Sequence, residues 1–346
     1  MTASLTSATA PATATPADPS VAPRNPAQRL LGLEALRGIG AACVVLLHLQ
    51  ATFGGHPRVF GKGYLAVDFF LMLSGLLMAR AQEAKLRSGL SPRKFMVARY
   101  KRLWPMMALG ALIGAPTLFL RTQSVMQFLL LAIPNLFLLP VSFNRLVFPL
   151  NIPAWTIFYE LVANALHTVL FWRWGRIALA AAIAALLPIL CWIGLSHGSL
   201  DVGARPEHFI LGFPRIAFAY LIGIALGRWW RDAPSVAVPP LVAFAAMPVL
   251  FVTSWALHLD GWLFDLTFVT LACPLILAGG MRLTTRPALA RFSGVVSFPL
   301  FAVHMPILQA GAMIGLAWPV GGLLAFGGGI VVAILAEMRR RRGMAQ

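Results

Sequence analysis

Charged residues are scarce in this chain of 346 residues, and acidic residues are scarcer still. Asp, Glu, Lys and Arg together make up 11% of the chain, against about 25% in an average soluble domain. Hydrophobic residues reach 59%, and the mean hydropathy is +0.79. So little charge cannot cover a water-exposed surface, which excludes a soluble globular protein. The net charge of +17 does not indicate nucleic acid either, because a nucleic-acid-binding protein needs a solvated basic face.

Cysteine is also rare and widely spaced. Cys43, Cys191 and Cys273 lie far apart inside apolar runs, which fits neither a disulfide framework nor the ligand spacing of a metal site. We therefore expect no metal and no permanently bound cofactor.

Residues 1–28 are rich in Ala, Thr, Pro and Ser, and they lack the basic and apolar regions of a secretory signal. We expect a disordered cytoplasmic tail there, not a cleaved leader, followed by a transmembrane domain over 29–346.

Apolar stretches of about 20 residues recur from Leu30 onward, each long enough as a helix to cross a hydrocarbon core of about 30 Å. The predicted spans are 33–53, 63–81, 103–121, 152–172, 177–196, 208–229, 237–257, 262–281, 294–315 and 318–338. The segment 126–140 is shorter and contains Pro134, Asn135 and Pro140. The pattern predicts an all-α polytopic membrane protein with about ten transmembrane helices, in which 126–140 either crosses or turns back.

The distribution of basic residues decides between these two alternatives. If 126–140 is re-entrant and the N-terminus is cytoplasmic, 22 of the 28 Lys and Arg residues lie inside, five lie outside and Arg215 lies within a span. If 126–140 crosses, 11 of the inside residues move outside. The positive-inside rule therefore favours ten spans, a re-entrant segment and cytoplasmic termini.

Ionisable residues inside predicted spans are candidates for function, because a charge at membrane depth is costly. They are His48, Asp68, Glu160, Arg215 and His304, with Arg37 at the entrance of the first span and Asp265 and His167 at less certain depth. Counting from the predicted ends places His48, Asp68 and Glu160 in the outer half of the membrane. A histidine and two carboxylates at one depth predict a proton-handling cluster. The alternatives are a core histidine, and carboxylates paired structurally with Arg215.

A basic group lies at the predicted cytoplasmic level. Arg99 and Arg102 begin the third span, and Arg37 is close by in the first. Arg37 and His48 are eleven residues apart, so they share a helix face about 16 Å apart along its axis. Clustered arginines are suited to bidentate phosphate binding. The alternative is that they anchor lipid headgroups, with Arg37 extending to the interface.

Five motifs in order carry a family resemblance: RGIGAACVVLLH, GYLAVDFFLMLSGLLM, RYKRLWP, PAWTIFYE and SFPLFAVHMP. Together they resemble the membrane-bound acyltransferase-3 family, which includes bacterial O-antigen and exopolysaccharide O-acetylases, over residues 30 to 340. Two departures are conservative, Ile157 for the commoner Leu and Leu76 for the commoner Phe. A third, Phe301 where Tyr is frequent, removes a hydroxyl.

The resemblance implies roles for named residues. The family's essential Arg and His fall on Arg37 and His48, and its paired arginines fall on Arg99 and Arg102. Its acid after the Trp-containing motif falls on Glu160, its acid before the aromatic pair on Asp68, and its late histidine on His304. We expect catalysis by His48 with Glu160 and Asp68, and acyl-CoA binding by the three arginines. Candidate acceptor-pocket residues are Ser74, Trp155, Tyr159, Arg215 and His304.

The function implied is transfer of an acyl group, acetyl in the simplest case, from cytoplasmic acyl-CoA to a hydroxyl of a glycan or lipid-linked saccharide. Transfer is either direct or through an acyl-histidine. Trp155 and Tyr159 either stack on a sugar or anchor the chain at the interface. The rival function is a proton-coupled transporter or exporter, because buried ionisable residues and broken segments also mark carriers. A non-catalytic membrane subunit is a third alternative.

Overall fold

The computed structural model describes residues 26–230, 233–283 and 287–344, which form helices and no strand. The helices are α1 (Pro26–Phe53), α2 (Leu65–Ala81), α3 (Glu83–Arg87), α4 (Pro92–Arg121), α5 (Val125–Leu136), α6 (Ala154–Val169), α7 (Arg176–His197), α8 (Phe209–Trp229), α9 (Pro240–Ala256), α10 (Trp262–Thr267), α11 (Cys273–Gly280), α12 (Pro287–Met313) and α13 (Trp318–Met344). A π-helical turn, Phe268–Ala272, joins α10 to α11. The tail expected at 1–28 lies outside the described residues up to 25, and α1 begins at Pro26.

Eight described helical segments are long and apolar enough to cross a membrane. They are 31–53, 61–81, 92–121, 176–197, 206–229, 262–280, 288–313 and 318–342. The two remaining predicted spans correspond to α6, with 16 residues, and α9, with 17. At 1.5 Å per residue these two helices are only about 24 and 26 Å long. The predicted all-α polytopic membrane fold is confirmed.

Helix α5 is too short to cross. Its 12 residues span about 18 Å, and the Ser124 hydroxyl accepts the Gln127 amide at 3.1 Å to cap its start. From there α5 runs back along α4, since Trp104 Nε1 donates to the Leu136 carbonyl at 2.8 Å. Its last turn therefore lies level with Trp104, well inside the length of α4.

Asn135 organises the irregular chain that follows α5. Its side-chain amide donates to the carbonyls of Leu139 and Val147, both at 3.1 Å. Its Oδ1 atom accepts the Leu150 amide at 3.3 Å. Non-helical backbone at membrane depth needs such internal partners. The Asn135 side chain is buried, so it supplies them where water cannot, and the chain reaches α6 from within the bundle.

The directions of the packed helices agree with a re-entrant α5. The Ala35 carbonyl of α1 accepts the Ser293 hydroxyl of α12, and further along His48 contacts His304, so α1 and α12 run parallel. Gly110 of α4 lies against the Ala302 carbonyl of α12, and Gly114, one turn later, lies against Pro306. Helix α4 therefore also runs parallel to α12. Five segments lie between α4 and α12 when α5 is left out, namely α6, α7, α8, α9 and α10 with α11. An odd number of crossings gives parallel helices, whereas a crossing α5 would make them antiparallel.

Close helix contact also joins α2 to α8. A Cβ on Gly223 would lie 2.0 Å from the Met72 carbonyl oxygen, so only glycine permits this approach. Small residues are the usual means by which membrane helices come together. The contact brings Asp68 of α2 beside Arg215 of α8.

The parallel helices predict which loops share a side of the membrane. In a variant without native cysteines, we expect Gly89→Cys and Ser235→Cys to react with an impermeant maleimide from one side. Glu207→Cys should react from the other side, because it precedes the opposite end of α8. Labelling after permeabilisation controls for reactivity. If positions 89 and 235 label from opposite sides, α5 crosses the membrane and the fold is wrong.

Candidate active site

Helices α1, α2, α4, α6 and α12 enclose a cavity of about 280 Å³, here called the arginine cavity. Along α2 its lining extends from Gln82 to Val67, about 22 Å of helix. Phe70 and Phe301 line its deep end, in edge-to-face contact with ring centroids 6.2 Å apart. The polar lining residues are Arg37, Ser74, Gln82, Arg99, Arg102, Thr156, Glu160 and Ser297. The cavity is therefore basic toward one end and apolar at its depth.

Glu160 belongs to the arginine cavity and not to a cluster with His48. Its carboxylate forms an ion pair with Arg99 and accepts the Ser74 hydroxyl at 3.0 Å. Ser74 Oγ also accepts Arg99 Nη2 at 3.3 Å. The expectation that Glu160 lies in the outer half is corrected: it assumed that α6 starts at the membrane surface, whereas the chain after α5 delivers α6 deeper. The Arg99 Nε atom is buried and has no hydrogen-bond partner.

Arg37 and Arg102 leave positive charge in the cavity. Among the described residues neither guanidinium has a hydrogen-bond or ion-pair partner, and Glu160 attracts both through space. Three guanidinium groups thus face a single carboxylate. A partly open site with excess arginine favours an anion, and a guanidinium holds phosphate through paired N–H groups. The sequence correctly predicted that these three arginines lie together.

His48 pairs with His304 across α1 and α12. Their nitrogens Nδ1 and Nε2 lie 2.8 Å apart, and the rings stack with centroids 5.1 Å apart. Phe301, which lines the deep end of the arginine cavity, has its ring centroid 6.0 Å from that of His304. The Phe301 ring therefore lies between the arginine cavity and the histidine pair.

The tautomers of the two histidines follow from the Leu300 carbonyl, which lies beside His304. His304 Nδ1 lies 3.0 Å from the Leu300 carbonyl oxygen, which can only accept, so Nδ1 carries the proton. In the neutral ring His304 Nε2 then accepts, and His48 Nδ1 donates to it. His48 Nε2 is left with a lone pair, which is the form that a general base requires.

Asp68 is paired with Arg215, the structural alternative that the sequence left open. Arg215 Nη2 and Nε donate to the Asp68 carboxylate at 2.7 and 3.1 Å. Arg215 also donates to the carbonyls of Val202 and Tyr64, both at 3.1 Å. Both charged side chains are buried. The structure does not bring Asp68 to His48, so the expected cluster of one histidine and two carboxylates is not assembled.

Sequence reasoning missed a second buried ion pair beside Asp68. Lys62 Nζ lies 2.6 Å from Asp265 Oδ1, and the Tyr64 hydroxyl donates to Asp265 Oδ2 at 2.6 Å. The predicted topology places Lys62 among the five basic residues outside the membrane, just before the second span, but its side chain is only 7% exposed. No local pattern signals the pairing, because the partner lies on α10.

Trp155 and Tyr159 are core residues, so they neither form an exposed sugar platform nor anchor at an interface. Both are buried, and their rings make an edge-to-face contact at 5.8 Å. The Tyr159 hydroxyl donates to the Phe209 carbonyl. Trp155 also faces the Arg215 guanidinium at 5.8 Å. The two rings therefore hold α6 against α8.

A further cluster lies where α2 and α8 end. Glu83 accepts Arg228 Nη2 at 2.6 Å and Arg87 Nη2 at 3.0 Å, and His167 Nε2 lies 3.4 Å away. Burial alone would raise the pKa of Glu83, but His167 and Arg228 outweigh it and hold this pKa below its ordinary value. The ionised carboxylate thus joins α3 to α8 near the mouth of the arginine cavity.

Fold and site together define a polytopic helical membrane protein with an arginine-lined cavity beside a histidine pair. The chain belongs to the acyltransferase-3 family, whose acyltransferase domain matches residues 30–338, and it is a membrane acyltransferase. It is also similar to "Protein 2 in picA locus" of Rhizobium radiobacter, with 33% identity over 173 residues, covering 44% of this chain and 85% of that protein. No solved structure matches the chain. The family assigns transferase chemistry, not the transporter alternative.

The charge of the arginine cavity gives a direct prediction. Arg102→Ala should weaken binding of inorganic pyrophosphate about tenfold to hundredfold, the loss of one charge-assisted hydrogen bond. The measurement is calorimetry on the purified protein in detergent. Arg93→Ala is the matched control, because Arg93 is exposed on the same helix and does not line the cavity. Equal affinity in wild type and Arg102→Ala would mean that the arginines anchor lipid instead.

Proposed function

We propose that this acyltransferase moves an acyl group, acetyl in the simplest case, from acyl-CoA to a hydroxyl of a glycan or lipid-linked saccharide. The observation that carries the proposal is a single cavity that runs from three arginines to the ring in front of the histidine pair. One end suits a phosphorylated donor, and the other provides a proton acceptor. Family membership supports acyl transfer, and the identities of donor and acceptor are proposed from this chemistry.

The donor's diphosphate binds Arg37, Arg99 and Arg102. The available donors are the buried Nε atom of Arg99 and the guanidinium groups of Arg37 and Arg102, which have no hydrogen-bond partner within the described part of the chain. Glu160 and Ser74 hold Arg99 in place through their hydrogen bonds. Glu160 is thus a positioning residue for the phosphate site. The apolar lining by Leu71, Leu73, Leu77, Phe70 and Phe301 receives the pantetheine arm and its thioester.

The reaction is a direct acyl transfer with His48 as general base. His48 Nε2 accepts the proton of the acceptor hydroxyl while the hydroxyl oxygen attacks the thioester carbon. The C–S bond breaks, and the imidazolium returns the proton to the leaving thiolate, which leaves as the CoA thiol. His304 fixes the His48 tautomer through the bond to Nδ1. The Phe301 ring must turn aside for the acyl group to reach His48.

In the proposed orientation, in a bacterial plasma membrane, the arginine cavity opens toward the cytoplasm and both termini lie in the cytoplasm. Two arguments support it. The 22 basic residues on that side obey the positive-inside rule, and the proposed donor, acyl-CoA, is a cytoplasmic metabolite. The acceptor hydroxyl then approaches His48 from the opposite end of the bundle.

The proposal predicts the behaviour of the two histidines. His48→Ala should leave acetyl-CoA affinity unchanged and reduce ester formation on the glycan about 10²- to 10⁴-fold, the usual contribution of a positioned base. His304→Ala should reduce transfer less, because His48 keeps its imidazole and loses only its orientation. Both are measured by mass spectrometry of base-labile esters, with membrane levels checked.

His56→Ala is the matched control, since His56 lies in the loop after α1 and is exposed. Full transfer by His48→Ala would remove this histidine from the mechanism. A variant that loses acetyl-CoA binding together with transfer would show that His48 supports the cavity wall and is not the base. If acid quenching traps an acylated His48, the acyl group passes through a covalent acyl-histidine and is not transferred directly.

A further inference from the structure

A second, larger cavity lies beside the arginine cavity. Its volume is about 940 Å³, and it is formed by α1, the first turns of α12 and the last turns of α13. Arg37 lines both cavities. The two cavities therefore meet at Arg37, and the second is here called the terminal cavity.

The terminal cavity is basic. Its charged lining residues are Glu34, Arg37, Arg291, Glu337, Arg340 and Arg341. Glu337 accepts Arg340 Nε at 3.0 Å and Arg341 Nε at 3.1 Å, so one carboxylate holds two guanidinium groups. The two pairs are local to α13, and the arginine side chains remain 67% and 75% exposed. With Arg37 and Arg291, the cavity lining keeps an excess of positive charge. The adjacent Arg340 and Arg341 match the geometry of a phosphate monoester.

The lining of α13 selects two of the four terminal arginines. Ala333, Ile334, Glu337, Arg340 and Arg341 recur at three- and four-residue spacing, which is one helix face. Arg339 and Arg342 fall off this face and do not line the cavity. Phe292, Val295 and Val296 of α12 add an apolar wall. A nucleotide requires a surface of this kind, in which arginines suited to phosphate lie beside an apolar wall suited to the base.

We propose that the terminal cavity binds the nucleotide part of acyl-CoA, with Arg340 and Arg341 on its 3′-phosphate and Phe292 against the adenine. The inference rests on the proposed donor. Arg37 then holds the diphosphate where the two cavities meet, and the pantetheine arm continues along α2. Anionic lipid offers the same phosphate chemistry, but lipid would engage Arg339 and Arg342 as readily as their neighbours. The selection of one face favours the nucleotide.

The test compares two donors on three proteins. Acetyl-CoA and acetyl-dephospho-CoA, which lacks the 3′-phosphate, are titrated into wild type, Arg340→Ala/Arg341→Ala and Arg339→Ala/Arg342→Ala. All proteins are held in phosphatidylcholine nanodiscs. We expect wild type and the Arg339/Arg342 variant to prefer acetyl-CoA by about tenfold or more. The Arg340/Arg341 variant should bind both donors with the same, weaker affinity, which isolates the phosphate contact.

Every other result of these titrations contradicts either the proposed 3′-phosphate site or the proposed donor. If wild type binds both donors equally, or if the Arg340/Arg341 variant keeps the preference, the terminal cavity does not hold the 3′-phosphate, although the donor proposal stands. If neither donor binds wild type, the proposed donor itself is wrong. Adding phosphatidylglycerol to the nanodiscs tests the lipid alternative. Arg340 and Arg341 bind lipid if the Arg340→Ala/Arg341→Ala variant still prefers acetyl-CoA over acetyl-dephospho-CoA but no longer responds to phosphatidylglycerol.

Discussion

The ion pair between Arg99 and Glu160 is the interaction on which the candidate site depends. The two side chains are only 15% and 19% exposed. A charge so far withdrawn from water is stabilised by pairing and hydrogen bonding, and here Ser74 completes the pairing. The pair joins α4, α6 and α2 at one level, which is possible only because the re-entrant α5 delivers α6 into the bundle. Since Glu160 is committed to Arg99, Arg37 and Arg102 keep their charge available. The cavity can then attract a phosphorylated ligand without a large cost of separating existing pairs.

Two more deeply buried ion pairs hold the opposite part of the bundle. Asp68 with Arg215 links α2 to α8, and Lys62 with Asp265 links the chain before α2 to α10. Removal of one partner would leave an uncompensated charge in the core, which typically costs several kcal/mol. The proposed mechanism assigns phosphate binding and proton transfer to separate residues. In it the arginines bind phosphate, and the histidine pair, whose polar contacts include the Leu300 carbonyl and the bond between the two rings, transfers the proton.

Much of this arrangement could be predicted from the sequence. Hydropathy and the asymmetry of basic residues gave the polytopic fold and the re-entrant segment, because both depend on local composition. The grouping of Arg37 with Arg99 and Arg102 followed from depth along straight helices. The depth of Glu160 could not be predicted, because it depends on the irregular path between α5 and α6. The pairing of His48 with His304 joins residues 256 positions apart, and Lys62 with Asp265 is equally remote. Such contacts are set by tertiary packing.

The most direct test of the central claim is a structure of the protein with an unreactive acetyl-CoA analogue in which a methylene group replaces the thioester sulfur. The account predicts diphosphate oxygens within about 3 Å of guanidinium nitrogens of Arg37, Arg99 or Arg102. It also predicts the acyl carbonyl carbon beside His48 Nε2, with the Phe301 ring displaced. An analogue bound at the opposite end of the bundle, near Lys62, would contradict the account. So would phosphates on the arginines with an acyl group that points away from the histidine pair.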